Sequence, residues 1–328
     1  MAAIVGAATL MPAGAARADC YGRDLFAYYH LYAPERLERI EAAAARLPFG
    51  KGRLFRVSRA GARPSFLFGT LHVSDRRLAV PVAAAAALRT SAVLALEFAL
   101  DDNGRPPVHV GLDTPVLRAA ATDRPDRLLD PAEFARLERV VVADGLPAAA
   151  ARLLKPEVLA LALDLPRCAA AAPGRGDFLD AALARSARER GVPVVGLETF
   201  DEQIEAVGGL PAADEQQLLR ATITSAGFGA DAVETAVGRY LAGDLGALLV
   251  WSRGPILWPG LAVSAPPAAF VDRLLDRRTA RLYRRALPLV EKGGAFIAVG
   301  AAHIAGEQGL ARRFQEAGYE VTSVDPGG

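Results

Sequence analysis

Two apolar runs, far apart in the chain and each closed by Gly-x-x-His, constrain the fold more than any other feature. The first is Ser65-Phe-Leu-Phe-Gly-Thr-Leu-His72 and the second is Ala295-Phe-Ile-Ala-Val-Gly-Ala-Ala-His303. Unbroken apolar runs of this length read as strands buried on both faces, the habit of parallel strands covered by helices. A parallel sheet presents its chemistry at the carboxyl ends of its strands. The chain has only four histidines, and two of them occupy this one setting. His30 and His109 sit in unremarkable contexts.

Two more runs repeat the pattern with an acid at the end: Ser91-Ala-Val-Leu-Ala-Leu-Glu97 and Val192-Pro-Val-Val-Gly-Leu-Glu198. A carboxylate at the end of a buried strand is costly unless it is paired, so both glutamates need partners. Residues 65–97 read as strand, helix and strand, a βαβ unit with a parallel pair expected. Strand 53–58 and the turn 59–64 precede it as a hairpin. Helices are predicted over 34–47, 81–90, 130–144, 178–190, 212–225, 231–251, 270–290 and 307–316, and over 147–165 with a break at Pro156. Asp130-Pro-Ala-Glu133 carries the spacing of a capping box. Residues 251–267 read as a Pro-rich connection and 319–324 as a last strand. The fold class is therefore α/β: a central mixed, mostly parallel sheet flanked by helices, with an α-helical insertion over about 115–176. Residues 19–328 form one domain.

Composition bounds the function. Lys and Arg total 38 against 37 Asp and Glu, and 52% of residues are apolar. Near-cancelling charge argues against a nucleic-acid partner, and the apolar content against disorder. Residues 1–18 resemble the apolar and cleavage regions of a secretory signal peptide, without its basic first region. No other stretch is long and uncharged enough to span a bilayer. A periplasmic or secreted location follows, and in that setting Cys20 and Cys168, the two cysteines of the chain, are expected to pair.

The candidate site is His72, Glu97, Glu198, Arg278 and His303, with Asp180 as an outlier in the first turn of its helix. Arg278 projects into the apolar stripe of the 270–290 helix, where a guanidinium needs a carboxylate. Two histidines and a carboxylate, here His72, His303 and Glu97, are a common ligand set for zinc, iron or manganese. Such a cation makes a bound water acidic near neutral pH. Glu198 or Asp180 would act as general base or orient the ligands. Arg278 would hold an acid ionised or stabilise an oxyanion. Against this stands the plainer reading of core histidines, salt-bridged strand ends and, for Asp180, a helix-start charge. A phosphate loop, a nucleophile elbow and His-Glu-x-x-His are all absent from the sequence.

The motifs Leu67-Phe-Gly-Thr-Leu-His72, Leu96-Glu97, Gly196-Leu-Glu-Thr199 with Gln203, and Val299-Gly-Ala-Ala-His303 with Gly306 resemble, in order, those of the TraB/GumN family. That family includes Tiki-like metalloproteases and is distantly similar to erythromycin-esterase and ChaN-like proteins. The resemblance implies an exported, divalent-metal-dependent hydrolase (manganese, cobalt or zinc) acting on a peptide or small-molecule substrate. Its metal would be held by His72, Glu97 and His303, with acids at Asp180 and Glu198. The family often shows Arg-Asn in the last long helix, whereas here Arg278 is followed by Thr279. Two rivals are a non-catalytic envelope protein binding a metal or haem-like ligand in the same pocket, and a purely structural protein.

Overall fold

The computed structural model describes residues 20–99, 111–169, 178–258 and 260–325. The leader, His109 and the carboxyl-terminal part of the expected insertion lie outside the described residues. Eight strands are present among them: β1 Leu54–Ser58, β2 Ser65–Thr70, β3 Val93–Leu96, β4 Val194–Gly196, β5 Ile256–Trp258, β6 Leu261–Val263, β7 Ala295–Gly300 and β8 Glu320–Ser323. Six form one sheet in the order β4-β3-β7-β2-β1-β8, while β5 and β6 pair as a separate hairpin. β4, β3, β7 and β2 run parallel, and β1 is antiparallel to both β2 and β8. The α/β class and the mixed, mostly parallel sheet are as expected.

Every residue of β7 is buried, and its alternation divides the core in two. Phe296 and Ala298 join Phe68, Leu94 and Leu96 against the Val82–Arg89 and Leu179–Arg188 helices. Ile297 and Val299 join Leu67 and Ala95 on the opposite face, against the Leu25–Tyr32, Gly229–Leu241 and Arg278–Lys292 helices. A strand with period-two side chains and helices on both faces must be apolar throughout. A separate cluster, including Leu117, Phe134, Leu137, Val141 and Leu154, fills the helical section and is shared with Phe200, Ile204 and Leu219. Its Pro131–Ala143 helix begins with the expected capping box at Asp130 and Glu133.

Four expectations are corrected. β2 and β3 are parallel but are not neighbours, because β7 lies between them. The predicted 231–251 helix is two helices, Gly229–Leu241 and Leu245–Arg253, divided at Gly243, whose φ is 64°, with Asp244 capping the second. Residues 251–267 contain the β5–β6 hairpin. The helix predicted over 307–316 is confined to Leu310–Glu316, behind a 3₁₀ turn at Ala301–His303.

The helical section holds one titration with a visible consequence. Glu157 and Glu215 are buried on two packed helices, Pro156–Asp164 and Ala212–Ser225. Burial, then the nearby Glu157 and Asp123, push the Glu215 carboxyl up to about 7. Its raised folded pKa means stability present below the unfolded value of 4.5 and lost as pH rises through 7. Glu215→Gln should therefore flatten the fall in unfolding free energy between pH 5 and pH 8 by about 1–2 kcal/mol, a figure kept low for solvent screening. Urea denaturation of both proteins at the two pH values checks this, and an equal fall in both would refute it.

Candidate functional site

Parallel register brings the site together at one sheet edge. Thr70 of β2 is level with Gly300 of β7, and Leu96 of β3 with Gly196 of β4. His72, His303, Glu97 and Glu198 therefore leave the sheet along a common line, each within three residues of its strand end. Gly69 permits a close approach: a Cβ there would meet the Cα of Ala301 at 3.1 Å, so the Ala301 turn would have to give by a few tenths of an ångström. The Tyr240 hydroxyl donates to the Gly69 carbonyl at 2.7 Å and braces the same strand end.

Arg278 enters from above. Residues Asp272–Arg277 are wound as a π-helix directly before the Arg278–Lys292 helix, and such turns often occur at functional sites. The Arg278 side chain is fully buried. Its Nη2 donates to Glu97 Oε2 at 2.7 Å and also to Glu198 Oε1, and its Nε donates to Glu198 Oε1 at 3.1 Å. Its Nη1 donates to the Leu274 carbonyl at 3.2 Å. Glu198 Oε2 accepts from Arg281 at 2.7 Å. Glu97 Oε1 accepts the Gly300 amide at 2.7 Å. Gln203 lies 3.5 Å from Glu97 Oε2. Burial alone would raise the Glu97 pKa, but the Arg278 guanidinium foremost, with the charged His72 ring and the Gly300 amide, holds it down at about 2.

The two histidines are anchored differently. His72 Nε2 is 3.4 Å from Asp180 Oδ2 and 3.3 Å from Thr70 Oγ1, whose own proton goes to Asp180 Oδ1 at 3.1 Å. His303 Nδ1 meets Thr279 Oγ1 at 2.7 Å, and its Nε2 faces Glu97 Oε1 at 3.8 Å. Burial opposes charge on both rings. For His72 the Asp180 carboxylate outweighs it and raises the pKa to about 9. For His303 burial wins over Glu97, with Arg278 adding to it, and the pKa falls to about 3.

All six residues singled out in the sequence are thus drawn into one neighbourhood. Asp180, read as a helix-start charge, does sit in the first turn of its helix and also reaches His72. Sequence reasoning assigned no role to Thr70, Thr279, Arg281 or Gln203, although Thr70 and Gln203 stand within the motifs that carry the family resemblance and Thr279 marks the departure after Arg278.

A model of the TraB/PrgY/gumN family matches residues 53–323, nearly the whole described chain. The chain belongs to the TraB/PrgY/gumN family. Neither a curated protein nor a solved structure gives a significant match. In this TraB/PrgY/gumN chain the matched region runs from the residue before β1 to the last residue of β8 and contains every residue of the cluster. No helix among the described residues is long and apolar enough to cross a membrane.

The donor set can be tested for a divalent cation. Among the described residues no three His, Cys, Asp or Glu side chains stand together as a group that could hold one ion. Two imidazole nitrogens are nevertheless buried with no partner among the described residues: His72 Nδ1 and His303 Nε2. In each ring the orphan is the nitrogen opposite the anchored one. His303 Nε2 with Glu97 Oε1 therefore fits a cation. His72 would fit through Nδ1 only after giving up the proton that its raised pKa places there, and would have to draw in as the third ligand.

Proposed function

We propose that this cluster is the centre of a divalent-metal-dependent hydrolase acting on a peptide- or ester-type bond. One observation carries the reading: two buried imidazoles, each fixed through one nitrogen to a protein group, each leave the other nitrogen without a partner. That is the arrangement by which proteins orient histidine ligands to a metal. Zinc, manganese or cobalt would be held by His303 Nε2, Glu97 and His72, and would supply Lewis acidity toward a carbonyl and a water.

The residues of the chain divide the remaining work. Asp180 and Thr70 orient the His72 ring. Arg278 keeps Glu97 ionised, as a cation ligand must be. Glu198 has both oxygens committed to Arg278 and Arg281, so it holds Arg278 in place and is poorly suited to serve as a free base. Arg278 is equally committed, which argues against a direct role at an oxyanion. Asp180, with Oδ2 unpaired by a formal hydrogen bond, is the better candidate for moving a proton, through His72. The Cys20–Cys168 disulfide supports an exported protein, since such bonds persist in oxidising compartments.

A second reading has an observation of its own. Glu97 and Glu198 are balanced by Arg278 and Arg281, and Asp180 by His72 when that ring is protonated. The cluster is then neutral without a metal, as a structural or non-catalytic ligand-binding core would be. Elemental mass spectrometry of the mature protein separates the readings. Roughly one divalent ion per chain in wild type, and none in His72→Ala/His303→Ala at an unchanged melting temperature, is the expected result. No ion in either protein after soaking with zinc, manganese and cobalt would leave only the second reading standing.

A further inference from the structure

We propose that Thr279 is a positioning residue: its hydroxyl fixes the tautomer of His303, so that Nε2 is the lone pair offered toward Glu97. The inference rests on the metal-site reading above for its purpose, though not for its geometry.

A threonine hydroxyl has one proton and two acceptor lone pairs. Thr279 Oγ1 lies 2.7 Å from the Leu275 carbonyl, which can only accept, so its proton is spent there. It also lies 2.7 Å from His303 Nδ1. With no proton left, the hydroxyl must accept, and His303 Nδ1 must be the N–H. Thr279 is 2% exposed and His303 is fully buried, so water cannot readily substitute for either partner. The neutral ring then has its lone pair on Nε2, facing Glu97 Oε1 at 3.8 Å. That oxygen already accepts the Gly300 amide. Two acceptors face one another across a gap, an arrangement that a cation relieves.

The residue type matters. An asparagine can present either its carbonyl or its amide to the ring and would leave the tautomer open. A threonine bonded to the carbonyl four residues back is a one-way acceptor. The π-helical turn that ends at Arg277 sets the register in which Arg278 points to the glutamates and Thr279 to His303. One turn of backbone thus delivers the cation for Glu97 and the proton acceptor for His303.

The test uses full-length protein with ¹⁵N-labelled histidine, stripped of metal, and long-range nitrogen–proton spectra assigned by substitution at His303. Wild type should show His303 protonated at Nδ1 and bare at Nε2. Thr279→Ser should keep that pattern. Thr279→Val, close in shape but unable to accept, should move the proton to Nε2, toward Glu97. Zinc titration by calorimetry should then show affinity reduced about 10–100-fold in Thr279→Val and restored in Thr279→Ser. A wild-type His303 protonated at Nε2 would overturn the proposal, and needs no variant to fold. So would a Thr279→Val protein that keeps the proton on Nδ1. A tautomer that follows Thr279 as described, with zinc bound by none of the proteins, would uphold the role of Thr279 and remove the metal site.

Discussion

Arg278→Leu is expected to cost the fold about 3–5 kcal/mol at neutral pH, the usual penalty for breaking a buried ion pair from one side. The side chain is fully buried, and the two carboxylates that it serves are 2% and 4% exposed. Removing it leaves Glu198 with Arg281 alone, and Glu97 with the Gly300 amide and a long contact to Gln203. Neither carboxylate can recover solvent. The variant should also reverse its dependence on pH. In the wild type the depressed Glu97 pKa, about 2, contributes stability that is present above the unfolded value of 4.5 and lost as pH falls toward 2. Without Arg278, burial dominates and the carboxyl prefers its proton, so acidifying from pH 7.5 to 5.5 should stabilise Arg278→Leu while leaving this contribution in wild type unchanged. Adding Glu97→Gln and Glu198→Gln should recover much of the loss, because no charge is then stranded. Guanidinium denaturation at the two pH values measures all three. A loss below about 1 kcal/mol would mean that the cluster is not held by this arginine.

The parts of this site that were legible in the sequence are those that burial writes locally. An acid or a histidine at the end of an apolar run is conspicuous because it is expensive, which is why Glu97, Glu198, His72 and His303 stood out. Arg278 stood out because helical phase turned it into an apolar stripe. What stayed hidden depends on long-range choice or on single hydrogen bonds. Nothing within β2 or β3 says that β7 comes between them, since any parallel neighbour satisfies the same buried face. That one guanidinium would serve both glutamates depends on how β3 and β4 pair. The π-helical turn is a shift in hydrogen-bond register that leaves the apolar period almost intact. Thr279 was visible only as a departure from the family's Arg-Asn. The break at Gly243 is different: a glycine followed by a capping aspartate was there to be read, but the apolar stripe continues across it and masked the turn.

Removing the disulfide is the second large effect expected. Cys20 and Cys168 are joined across a sequence separation of 148. Chain-entropy arguments assign a loop of that length about 5 kcal/mol, and measured losses for native bridges run at about 2–5 kcal/mol. The bridge also secures two specific places. On one side it holds the amino-terminal arm, where Arg23 N donates to Asp231 Oδ1 at 2.8 Å and Leu25 N to Thr235 Oγ1 at 2.9 Å. Leu25, Phe26 and Tyr29 follow and are buried in the main core. On the other side the Ala169 carbonyl, one residue past Cys168, accepts the Ser74 amide at 2.8 Å. Ser74 is two residues beyond His72, so the bridge steadies the turn that presents this histidine. Cys20→Ser/Cys168→Ser should melt on the order of 5–10 °C lower. Because the arm and the Ser74 turn are the two places that the bridge joins, they should also open first. Hydrogen exchange should show faster exchange at the Ser74 and Leu25 amides, with β7 protected as in wild type. Equal loss of protection across β7 would instead make the bridge a global clamp, and unchanged exchange at Ser74 would sever it from the site.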